Sequence, residues 1–124
     1  MEFNVITNNP LVLKELNGKY DVKYHDTDFK GVLIKIRDEV YIGKKLLTHP
    51  LSGSIKPNET PYKSVLISKD SFKTDTESVI LIENAIAATD KFLFKPEPKD
   101  SSSLADMQLI DYTLLSSALA SADA

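Results

Sequence analysis

The sequence predicts a small α/β domain of three layers. Helices should cover both faces of a mostly parallel four-stranded sheet, with one further helix at the C-terminus. Three observations lead there. Strand-like and helix-periodic segments alternate along the first half of the chain, the pattern of a parallel sheet. The 124 residues suit one domain. A hydrophobic share of 42% against 27% charged is ordinary for a globular protein, enough for one modest core and too little for two.

The elements follow in order. Residues 2–7 read as a strand, with Phe3, Val5 and Ile6 supplying β-favouring bulk. Asn8-Asn9-Pro10 stops it, because Asn9 is a good N-cap and Pro10 fits the first helical position. Leu11, Val12, Leu13 and Leu16 make a short helix that Gly18 can end in a left-handed cap. Residues 20–24 alternate apolar and polar, as an edge strand with one wet face does. Thr27 or Asp26 can cap the next helix. Phe29, Val32, Leu33, Ile36 and Val40 recur at helical spacing as its buried stripe, and Gly43 is its stop. A short strand over 45–48 precedes a long loop, from His49 to about Tyr62.

Ser64 to Ser68 reads as a buried strand. Asp75 or Thr76 opens a third helix, with Val79, Ile82, Ile86 and Phe92 along one side. Residues 1–94 are thus expected to form the core domain, and 95–103 a Pro/Ser linker. Residues 104–121 form a last helix, packed on the core or on a partner subunit, with Leu104, Met107, Ile110, Leu114 and Ala118 as its apolar stripe. No internal repeat is present.

Right-handed crossovers limit the topologies. The flavodoxin-like strand order 2-1-3-4 is expected, with the alternating second strand at an edge. Ligands of such sheets bind beyond the carboxyl ends of the strands, where the connections change direction. That point falls between the first and third strands. It collects Asn8 and Asn9 from one exit, and Thr48, His49 and the long loop from the other.

Several chemistries are excluded. The chain has no cysteine, which removes thiolate catalysis, disulfides and iron–sulfur ligation. There is no phosphate-binding loop of the Gly-x-x-x-x-Gly-Lys type, no Gly-x-Gly-x-x-Gly and no Gly-x-Ser-x-Gly elbow. No metal-ligand spacing appears, so neither a metal nor a cofactor is expected. A net charge of −3 does not attract nucleic acid. No apolar run is long enough to span a bilayer, and no signal segment is visible, so a cytoplasmic location is expected.

The loop is the most unusual segment. Three prolines (Pro50, Pro57 and Pro61) stiffen it, and loops of this length in small domains are often functional. Ser52, Gly53 and Ser54 offer hydroxyls and close backbone approach, and Lys56 offers a cation. With the amides that open the first helix they can hold a small anion. The same residues equally form a turn that covers the sheet. His49 can serve as an acid or base near neutral pH. No nucleophile stands at a recognisable spacing from it, which favours a role in fastening the loop.

The run from Leu46 through Thr48-His49-Pro50-Leu51-Ser52-Gly53-Ser54 to Lys56-Pro57-Asn58-Glu59-Thr60-Pro61-Tyr62-Lys63-Ser64 resembles the GrdX family. So does Asn8-Asn9-Pro10 after the first strand. The resemblance covers most of residues 1–90. It implies an accessory protein of the glycine, sarcosine and betaine reductase systems of anaerobic bacteria, with reductase components as partners. It implies no catalytic residues. The residues alone leave a second reading, an enzyme or sensor for a small anion or amino-acid derivative at Asn8, Asn9, Thr48, His49, Ser52, Gly53, Ser54 and Lys56. A homodimer is also expected, since two-fold pairs are the commonest oligomers.

Overall fold

The computed structural model describes residues 2–51, 60–91 and 100–122. Four strands form one sheet: β1 (Phe3–Thr7), β2 (Val22–Tyr24), β3 (Lys44–Leu46) and β4 (Ser64–Ser71). The helices are α1 (Pro10–Leu16), α2 (Phe29–Tyr41), α3 (Thr76–Lys91) and α4 (Ser101–Ala122).

The strand order is β2-β1-β4-β3, not 2-1-3-4. β1 pairs with β2 in parallel, Val5 facing Val22. It pairs with β4 antiparallel, Phe3 opposite Ser68 and Thr7 opposite Ser64. β3 pairs antiparallel with the other side of β4, Leu46 facing Ile67. The sheet is therefore mixed rather than mostly parallel. Only the first three strands alternate with helices, and a strand that follows another without a crossover helix is free to run antiparallel. Burial explains why β4 is central. Ser64 to Ser68 are buried on both faces, while β3 is three residues long with Lys45 exposed, which suits an edge.

Each face carries its own core. Ile6, Val65 and Ile67 pack against the stripe Phe29, Val32, Leu33, Ile36 and Val40 of α2 and against Ile82 and Ile86 of α3. On the other face Val5 and Leu66 pack against Val12 and Leu16 of α1 and Leu115 and Leu119 of α4. The last helix thus folds back onto its own sheet.

Local chemistry sets the helix ends. Asn9 caps α1, its side chain accepting from the Leu11 amide, with Pro10 next. Asp28, not Thr27 or Asp26, caps α2 by accepting from the Gly31 amide at 2.7 Å. Asp100 accepts from the Ser103 amide, so α4 begins at Ser101, three residues before the expected start at 104. Its buried line runs through Asp111, Leu115 and Leu119 rather than Ile110 and Leu114. Phe92 and residues 95–99 of the expected linker lie outside the described residues. Gly43, with φ +99°, ends the turn after α2.

Candidate functional site

The carboxyl end of β1 meets the amino end of β4 under the middle of α4, and polar side chains converge there. Thr7 and Ser64 are opposite neighbours in the β1–β4 register, and their hydroxyls lie 2.6 Å apart. Ser64 donates its single hydroxyl hydrogen to Asp111 Oδ2 at 2.6 Å. Thr7 must then donate to Ser64. The Asn9 amide donates to Thr7 Oγ1 at 2.9 Å, which completes a directed chain into the Asp111 carboxylate.

Asn8 and Asn9 are inside this knot and not at a surface. Asn8 donates to the carbonyls of Thr27 and Pro61 and accepts from the Lys63 amide at 2.9 Å. Asn9, fully buried, caps α1 and donates to the Gln108 carbonyl and to Asp111 Oδ2, both at 2.9 Å. Each amide has both ends engaged, so the two residues hold the start of α1, the lead-in to α2 and the middle of α4 around β1. Thr48 continues the β3–β4 pairing, its Oγ1 accepting from the Leu66 amide. His49 is exposed, and its Nδ1 accepts from the Leu51 amide at 3.0 Å, which fastens the loop start. The sequence-derived site therefore divides: Asn8 and Asn9 join one network, while Thr48 and His49 each make a local bond. Ser52, Gly53, Ser54 and Lys56 lie outside the described residues.

Lys63, Tyr62, Gln108 and Asp111 complete the site and were not singled out by spacing. Lys63 is buried, with 6% of its surface exposed. Among the described residues its ammonium has neither a salt bridge nor a hydrogen bond. Burial pushes it below its ordinary value of 10.5, and the charge of Asp111 works in the opposite sense. Tyr62 Oη accepts from Gln108 Nε2 at 2.9 Å, which leaves its own hydrogen to donate. Lys63, Tyr62, Thr60 and Asp111 line a small cavity whose other walls are apolar, from Phe29, Leu51, Met107, Ile110 and Leu114. The signal for Lys63 is a lysine abutting the buried run 64–68. The signal for Asp111 is an acid set between Leu109-Ile110 and Leu114-Leu115 in the middle of a helix.

His25, half-buried at the end of β2, is held below its ordinary value by burial and then by Lys35. It lies outside the network. Among the described residues no group of three or more His, Cys, Asp or Glu side chains is placed to hold a metal ion. No described helix is long and apolar enough to cross a membrane.

A family model described as GrdX-like protein matches residues 4–120. The chain belongs to this family. The match runs through α4, beyond the 1–90 span of the sequence resemblance, so the helix that supplies Asp111 is part of the family's domain. No curated protein and no solved structure matches the chain.

Proposed function

We propose that this member of the GrdX-like family is a non-catalytic accessory protein of a glycine-type reductase system in the cytoplasm, and that it works by binding a reductase component. The observation that carries the reading is the outer face of α4. Leu109, Ile110 and Leu114 are 55%, 44% and 42% exposed on a helix whose opposite side already packs on the sheet. Ile110 and Leu114, one helical turn apart, stand beside each other on that helix. Adjacent exposed apolar side chains on a small domain mark a contact surface for another protein. The absence of cysteine from the chain agrees with an accessory role rather than a redox-active one. Residues 48–62, with Ser52, Gly53, Ser54 and Lys56, are proposed as the polar border of the same contact.

The test is affinity capture from extract of an anaerobic host that expresses the reductase. The wild-type chain should retain a reductase component, and Leu109→Glu should lose it while melting at an unchanged temperature. Recovery of no reductase component by the wild type, under conditions that preserve the known subunit contacts, would sink the proposal. A homodimer through this face is the competing use of it. Light scattering that reports a monomer across micromolar concentrations would remove that alternative.

A further inference from the structure

The geometry points to a binding site for a short-chain aliphatic monocarboxylate between Lys63, Tyr62 and the apolar walls supplied by Phe29, Leu51, Ile110 and Leu114. The site shares Ile110 and Leu114 with the α4 face of the accessory reading, but it is tested by ligand binding to the chain alone through Lys63, so either can fail without the other.

Two side chains with donor hydrogens line the cavity. An ammonium on a largely buried side chain that makes no hydrogen bond to protein calls for an anion or a water. Lys63 is more than nine-tenths buried, lines the cavity and has no hydrogen-bonded partner among the described residues. Tyr62 lines the same cavity, and its hydroxyl, which accepts from Gln108, has its hydrogen free to donate. One carboxylate can accept from both.

The remainder of the site sets the ligand's size and charge. The cavity measures about 20 Å³, room for a water-sized polar group and not for a whole sugar or nucleotide. Beside Thr60 the rest of its lining is hydrocarbon, from Phe29, Leu51, Met107, Ile110 and Leu114, which suits a short alkyl group. Asp111 is the acid whose charge acts on Lys63, yet its Oδ2 is already taken by Ser64 and Asn9, and it makes no direct ion pair with the lysine. Its charge repels a second anion. A single carboxylate charge is tolerated beside it far better than the double charge of a phosphate.

The probe is isobutyrate, with isobutyramide as its neutral isostere and inorganic phosphate as the dianion. Thermal unfolding and amide resonance shifts in the intact chain are the readouts. Isobutyrate should raise the melting temperature saturably and move the amide resonances of residues 62, 63, 110 and 111. Isobutyramide and phosphate at the same concentration should do neither. Lys63→Met should weaken isobutyrate binding at least about tenfold, and Tyr62→Phe several-fold, as expected for lost hydrogen bonds to a charged group. If Lys63→Met does not fold, Tyr62→Phe decides. Absence of saturable binding, an equal response to isobutyramide, or unweakened binding by whichever variant folds overturns the proposal.

Discussion

Asn9 at the exit of β1 and Asp111 in the middle of α4 are joined by a 2.9 Å hydrogen bond, although 102 positions separate them in sequence. Ser64 of β4 donates to the same carboxylate oxygen. One acceptor therefore locks the last helix onto the two central strands. Removing it strands two buried donors and leaves Lys63 without the acid whose charge acts on it. Asp111→Ala should cost about 3 kcal/mol, the loss of hydrogen bonds to a charged group together with the unpaired donors left behind. Urea denaturation measures it. A cost no greater than that of an exposed alanine substitution would show that the knot does not hold α4.

The legibility of this fold was uneven, for physical reasons. The stripe of α2 was readable because its other side is polar, so periodicity had a single solution. The N-cap of α1 was readable because Asn-Pro is a local signal. α4 was not, because leucine, isoleucine and alanine recur all round it, and a stripe through Ile110 and Leu114 fits the pattern as well as the buried line through Leu115 and Leu119. Strand order failed for a similar reason. Alternation shows that β1, β2 and β3 share a direction, but nothing local says that β4 inserts between β1 and β3. Both limits reach the site. The sequence places Asn8 and Asn9 at the carboxyl end of β1, where β4 and α4 close over them. Lys63 and Asp111 become neighbours only through that insertion.

Gly43 and Gly18 both have positive φ, +99° and +90°. They differ in surroundings. A Cβ on Gly43 would stand 2.2 Å from the Phe72 carbonyl oxygen, whereas one on Gly18 meets nothing within 4 Å. The Phe72 amide also donates to the Gly43 carbonyl at 2.7 Å, which fixes the two backbones together. Gly18→Ala should cost about 1 kcal/mol, the left-handed penalty alone. Gly43→Ala should cost more, about 3 kcal/mol, because backbone must move as well. Equal costs in thermal unfolding would mean that the chain just after β4 gives way freely at Phe72.

Glu39 of α2 receives Lys23 from β2 at 3.5 Å and Lys44 from β3 at 3.2 Å, the two outer strands of the sheet. Burial works against its charge, but the bonds to Lys44 and Lys23 outweigh it and hold the carboxyl below its ordinary value of 4.5. The folded state therefore binds this proton less readily than the unfolded chain. The stabilisation is complete above 4.5 and is lost as pH falls through the depressed value. Glu39→Gln should show a shallower decline in stability over that acid range. Parallel acid profiles for wild type and variant would show that the two lysine contacts add nothing, as exposed ion pairs often do.

Lys63 predicts an effect at the other end of the pH scale. Burial lowers its value from 10.5, with Asp111 opposing, so the folded chain releases this proton before the unfolded chain does. Below the folded value both states carry the charge, and the cost of burying it is present in full. As pH rises through that value toward 10.5 the folded state sheds the charge first, and the cost is relieved. This residue's contribution therefore improves with alkalinity, the same sign of slope as at Glu39, because both folded values are lowered. Lys63→Met has no such proton. Measured by urea denaturation from neutral pH toward 10.5, wild-type stability should rise relative to the variant's. A constant difference between the two across that range would mean that the ammonium is solvated in the folded chain. The cavity lined by Lys63, Tyr62 and Asp111 would then be open to water.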